Sequence, residues 1–147
     1  MVNSIRERIL QALLEKLSRV AEEQSATAHR SPTVAIEREH CPALVLFPES
    51  DQITERPNDR VVRQLTIRLV ALARTVPPAT PEPEADLLLV AAHAALLSDV
   101  NLGGLCLGIS EVDAEYDVED ADAEACAIPQ RYRIQYRTLA SDMTVLG

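Results

Sequence analysis

Two segments near the C-terminal end alternate with a period of two, and that pattern restricts the chain more than any other. From Glu111 to Glu119 every odd position is acidic (Glu111, Asp113, Glu115, Asp117, Glu119), while Val112, Ala114, Tyr116 and Val118 fill the even ones. From Cys126 to Thr138, Cys126, Ile128, Tyr132, Ile134 and Tyr136 share one parity and Arg131, Arg133, Gln135 and Arg137 the other. A strand sends successive side chains to opposite faces, so the first segment predicts a strand with a carboxylate face and the second a strand with an apolar face and an arginine face. Glu119, Asp120, Ala121 and Asp122 suit a tight connection, and the pair reads as a β-hairpin. With odd positions facing odd positions, arginines and carboxylates lie on one sheet face, and opposite charges across strands fix a register.

The remainder supplies what that hairpin must pack against. Ser4-Ile5-Arg6-Glu7 matches a capping box, in which Ser4 accepts from the backbone at Glu7 and Glu7 reaches back. Ile5, Ile9, Leu13, Leu17 and Val20 follow at helical spacing, widened by Leu10 and Leu14, which predicts a helix from about Ser4 to Glu23. The span 24–31 reads as a loop closed by Pro32. Thr33 to Glu39 and Ala43 to Phe47 read as two strands, and the polar span 48–59 as an exposed loop. Arg60 to Arg74 is the longest strand-like run; Val61, Leu65, Ile67, Leu69 and Ala71 share a parity, and its apolar end is expected to be covered on both faces. Four prolines between Val76 and Pro83 make a stiff connector. They lead to a second helix from about Pro83 to Asp99, with Glu84 and Asp86 near its positive end. That helix is apolar nearly all round, so it is expected to be buried by the sheet and first helix or by a neighbouring subunit. Asn101 to Gly104 ends it. The order read from the residues is helix, three strands, helix, two strands, or α-β-β-β-α-β-β.

At 147 residues the chain reads as one domain spanning 1–147, with a short mixed tail from about 139. Its formal charge of -9 argues against nucleic acid held on a basic surface, although DNA passing an acidic wall is compatible with it. Cys41, Cys106 and Cys126 are odd in number and widely spaced, so no disulfide framework is expected and a reducing compartment fits. The N-terminal residues lack a signal layout and no apolar run reaches membrane-spanning length, so a cytosolic, non-membrane protein is expected.

Catalysis finds little support in the motifs. His29, His40 and His93 are dispersed, and no Gly-x-Ser-x-Gly, HExxH or phosphate-cradling glycine loop is present, so an enzyme is not expected and no cofactor is implied. His93 reads as a hydrogen-bonded helix residue. The adjacent His40 and Cys41 are a weak metal signal. The acidic strand, with Asp120 and Asp122, carries a divalent-cation reading without the spacing of an EF-hand loop. Against it stand a solvated or arginine-paired face and an acidic surface between subunits or along a conduit.

Several stretches carry a resemblance. His93-Ala94-Ala95-Leu96-Leu97, Asp99, Leu102-Gly103-Gly104-Leu105, Glu119-Asp120-Ala121-Asp122 and Tyr132 to Thr138 are similar to the C-terminal half of small tail proteins of tailed bacteriophages and prophages. More specifically they resemble the tail terminator (tail completion) family, to which the phage lambda tail terminator belongs by fold. The resemblance implies an α+β fold, with a mixed, mostly antiparallel sheet of about five strands flanked by two main helices, and a homo-hexameric ring on the end of the tail tube that stops tube polymerisation. The ring docks the head connector protein and lets DNA pass through its hole; the location implied is the virion tail, assembled in the cytoplasm of the bacterial host. A ring needs two different patches per subunit. The candidates are the acidic strand (Glu111, Asp113, Glu115, Asp117) and arginine-bearing strands (Arg60, Arg63, Arg68 or Arg131, Arg133, Arg137). The alternatives are a head-tail connector or other minor tail protein, and a small-molecule or divalent-cation-binding domain using the acidic hairpin.

Overall fold

The structure, a computed structural model, describes residues 2–118 and 125–147, with the backbone alone for Asp117 and Val118. Helix α1 runs Ile5–Glu23, and the Ser4 side chain accepts from the Glu7 N–H at 3.1 Å. Only that half of the expected capping box forms. The Glu7 carboxylate is instead held by Arg30 through two bonds of 2.6 and 2.7 Å, with a third from Gln11 at 3.2 Å. Ile5, Ile9, Leu13 and Leu17 form the buried stripe that the spacing predicts. Strand β1 (Thr27–Arg30) follows, then β2 (Ala43–Glu55), β3 (Arg60–Arg74), helix α2 (Pro81–Leu97), β4 (Gly108–Ala114), the two-residue β5 (Asp117–Val118) and β6 (Ala125–Leu139).

The strands form one sheet in the order β1-β2-β3-β6-β4, with β5 also paired to β6. Only β1 and β2 run parallel. The α+β class and the element order are as expected, with the penultimate strand in two pieces. Odd positions of β3 and even positions of β6 meet in register (Leu65 with Ile134, Ile67 with Tyr132, Ala71 with Ile128), and both sets are buried. They share a core with Leu44 and Leu46 of β2, the buried stripe of α1, and Leu88, Leu89 and Leu96 of α2. Both helices therefore lie on one face of the sheet.

Three expectations are corrected. The alternating span 33–39 joins no strand and leads into a single 3-10 turn at Arg38–His40, whereas the expected loop contains β1. Its four side chains are all half-buried, so no alternation marks it. The expected loop 48–59 is mostly strand: β2 continues to Glu55 through an irregularity around Glu49, and residues 56–59 alone make the turn, with Asn58 at φ 58°. Because β1 pairs only with residues 43–46, β2 is an edge beyond them, where Pro48 is tolerated. Finally, α2 starts and ends two residues before its expected bounds, with proline in its first turn. Pairing of β5 with β6 (Asp117 with Ala127, Val118 with Cys126) agrees with the expected hairpin, whose connection at Glu119 to Asp122 lies outside the described residues.

The C-terminal tail folds back. Leu146 bridges to Thr138, the Ile5 N–H donates to the Met143 carbonyl at 2.9 Å, and Arg8 donates to the Thr144 carbonyl.

Candidate assembly surfaces

On the face of the sheet turned away from the helices, Ala43, Val45 and Ala125 are buried at the apolar end of β3, the end expected to be covered on both faces; the other end is open, and the arginines sort onto it by parity. Arg133 and Arg137 stand exposed on that side of β6, beside Gln135, and make no ion pair with any described residue. Arg131 lies two residues before Arg133, and its Nε and guanidinium nitrogen donate to both oxygens of Asp113 at 2.8 and 2.5 Å, with Glu49 at 3.8 Å. Those hydrogen bonds hold the Asp113 carboxyl below the usual carboxylate range and push the Arg131 guanidinium up. Arg68, opposite Arg131 in register, places its guanidinium 4.8 Å from the Phe47 ring centre, and its buried Nε has no hydrogen-bond partner among the described residues. A cavity of about 240 Å³ lies among Glu49, Arg68, Asp113, Glu115 and Arg131. A second, of about 420 Å³, is lined by Thr54, Glu55, Gln64, Ser110, Arg133 and Gln135.

The other two arginines do not join this face as free charges. Arg63 sits on the helix side and donates from Nε to Thr138 Oγ1 at 3.2 Å. Arg60 pairs with the neighbouring Asp59 at 2.9 Å.

The acidic strand does not present a single carboxylate face. Glu111 is opposite Tyr132 whereas Asp113 is opposite Arg131, so β4 fits one extra residue there as a bulge. An inserted residue reverses the parity, and Glu111 falls on the helix side while Asp113 falls on the open side. Glu111 lines a cavity of about 250 Å³ with Asp86, Leu89, Val90, His93 and Gln130. Glu115 lies beyond the end of β4, its N–H donating to the Pro129 carbonyl at 2.9 Å. The side chain of Asp117 lies outside the described residues.

Behind Glu111 is a polar group inside the core. Gln130 Nε2 donates to the Tyr132 hydroxyl at 2.7 Å, and His93 Nδ1 is 2.8 Å from the same oxygen. The hydroxyl thus sits between the Gln130 amide and the His93 ring, and which of the His93–Tyr132 pair donates follows from the ring tautomer. Burial pushes the Tyr132 phenol well up. The arrangement satisfies three polar side chains between α2 and β6 and agrees with a hydrogen-bonded role for His93. His40 lies 6.2 Å from His29, ring centre to ring centre, and Thr27 Oγ1 contacts the His29 Nε2 at 2.9 Å. Among the described residues no three His, Cys, Asp or Glu side chains converge as a cation site; Asp120 and Asp122 of the cation reading lie outside them.

One surface was expected from the all-round apolar character of α2, but its residues were not among the candidates. Helix α2 packs Ala85, Leu88, Leu89, Ala92 and Leu96 into the core, and its opposite side carries Leu87, Val90, Ala94 and Leu97 in the open. Leu87 is 68% and Val90 60% exposed. The all-round apolar character of this helix thus reports both a core side and an uncovered side.

No protein-family model matches the chain, and no curated protein matches it. A solved structure does. The chain shares its fold with a chain of the virion of the native gene transfer agent (GTA) particle. The TM-score is 0.53 at 13% sequence identity, and the match covers 86% of this chain and 92% of that one. Among the described residues no helix is long and apolar enough to cross a membrane.

Proposed function

We propose that the chain is a structural protein of a phage or phage-like particle, and within it the tail terminator: a ring of identical subunits, six by the family resemblance, that caps the tail tube and receives the head connector. The observation that carries this reading is the fold shared along most of both chains with a virion component. The residue-level likeness of segments such as Leu102 to Leu105 and Tyr132 to Thr138 to tail terminators points the same way. Two unlike uncovered surfaces, the arginine-bearing sheet face and the outer side of α2, are what a head-to-tail ring requires. On this reading the chain turns over no substrate and needs no cofactor. DNA passes through the ring, and the protein resides in the virion after assembly in the host cytoplasm.

The test is direct. Purified protein is added to uncapped tail tubes from a tailed phage or gene transfer agent, and the tubes are imaged by electron microscopy while tube protein is still available. A terminator places ring density at one tube end and halts elongation. Tubes that lengthen unchanged, with bare ends, sink the reading. Attachment to heads but not to tubes replaces it with a head-tail connector.

A further inference from the structure

The geometry points to the outer side of α2 as the surface that seats on the uncovered sheet face of a second copy of this chain. The inference rests on the ring reading and names the surfaces that close it.

Both surfaces are incomplete, in complementary ways. Leu87, Val90, Ala94 and Leu97 recur at spacings of three and four, so they form one apolar stripe along α2. Exposed apolar stripes of this kind mark interaction surfaces on soluble proteins. The helix carries no lysine or arginine, and Glu82 and Asp86, one turn apart and exposed, border the stripe on its N-terminal half. A partner for this side must therefore offer apolar area together with positive charge. The open sheet face has both. At one end Val70, Leu72 and Pro129 keep half-exposed apolar area beside Ala43, Val45 and Ala125, which the chain already buries, and at the other Arg133 and Arg137 stand without ion pairs among the described residues. The arginine stems also cover apolar surface while their heads stay available to carboxylates.

Charge complementarity selects a second copy, because the acidic helix side and the two arginines of the sheet face that pair with no described residue, Arg133 and Arg137, occur on the same chain. It also selects a head-to-tail contact, since the two patches differ. An anionic lipid surface would be repelled by Glu82 and Asp86. The result is a helix layer supplied in trans, so that the sheet, covered by its own helices on one face, is covered by a neighbour's on the other.

The experiment uses two charge-reversed chains. The sheet variant carries Arg133→Glu and Arg137→Glu, and the helix variant carries Glu82→Lys and Asp86→Lys. Masses are read by analytical ultracentrifugation alongside thermal melts. Wild-type chain is expected to associate, and each variant alone to associate at least tenfold more weakly, because its reversed patch meets an unreversed one of like sign. A one-to-one mixture is expected to regain the wild-type mass. In the mixture every junction joins opposite signs: reversed sheet with reversed helix, and native sheet with native helix. Wild-type chain that stays monomeric up to about 1 mM overturns the inference. So do variants that associate like wild type, or variants melting as wild type whose mixture stays monomeric. Leu87→Ser, at an exposed position, gives an independent reading through the apolar stripe and is expected to weaken association at least tenfold; unchanged association overturns the inference. The tube-capping assay separates this inference from the functional reading. If both variants cap tubes as wild type does, the interface falls and the terminator stands. If the mixture recovers mass but wild type ignores tubes, the interface stands and the terminator falls.

Discussion

Glu7 shows how much one side chain near a helix start can connect. Its N–H is taken by Ser4, and its carboxylate clamps Arg30 and so ties α1 to β1. The hydrogen bonds from Arg30 hold the Glu7 carboxyl below its usual value of 4.5, despite the opposing effect of burial. A group whose folded pKa is depressed contributes stability above its unfolded pKa and loses it as pH falls through the folded one. His29 sits in the same region, and burial, assisted by His40, lowers its pKa from the usual 6.5. The unfolded ring then takes its proton first, so stability is expected to fall as pH drops below 6.5 and to fall again below 4.5 as Glu7 titrates. Denaturant midpoints measured across pH check this. His29→Gln should flatten the upper limb and Glu7→Gln the lower, and unchanged slopes would contradict the assignments. At the same helix start, Ser4→Ala should cost about 1 kcal/mol, readable by urea unfolding.

At the scale of elements, the two sides of α2 and the stripe of α1 make opposite predictions for the same substitution. Leu13 is fully buried, so Leu13→Ala is expected to cost about 2–5 kcal/mol by lost transfer energy and the cavity left behind. Leu87→Ala, on the open side, should change the stability of the single chain by no more than about 0.5 kcal/mol in dilute solution. A large loss at Leu87 would mean that this side is covered after all. The same contrast explains what was legible beforehand. Helix α1 and strand β3 were readable to within a residue because each buries one continuous face, and that face is written as periodicity. Strand β1 was not, because its four residues are all half-buried beside α1 and β2. Residues 48–55 read as loop because that end of β2 is largely exposed and its side chains are polar. For the candidate surfaces, the parity of Arg131, Arg133 and Arg137 located the open face. The bulge between Glu111 and Asp113 carries no periodic signal, so the expected carboxylate face divides in two. Whether the far side of α2 met the chain's own sheet and first helix or a neighbouring subunit was undetermined, because composition reports apolarity and not what supplies its cover.

The whole molecule is acidic at a formal charge of -9, yet its exposed arginines on β6 share one sheet face. A strongly acidic chain repels its copies at long range, so close association relies on local pairing of unlike patches. Added salt screens both effects, and at about 1 M the screening length is only about 3 Å. With an apolar centre and a charged border, association is expected to persist at moderate salt and to weaken, but not vanish, at about 1 M. Light scattering across salt and concentration checks this. Complete dissociation at high salt would assign the contact to charge alone, and complete indifference would remove the arginines from it.

The breaks in the fourth strand bear on how copies of the chain can meet at the margins of the sheet. β4 bulges after Glu111 and stops at Ala114, and β5 resumes for two residues, with Pro129, which offers no N–H, opposite the gap. At the other margin β1 is only four residues long, and the stretch of β2 that it leaves unpaired is broken by Pro48 and an irregularity and carries Glu49 and Glu55. Unpaired strand margins are templates for fibril growth, and short, bulged or charged ones are poor templates. Copies of the chain are thereby discouraged from zipping together margin to margin into insoluble material.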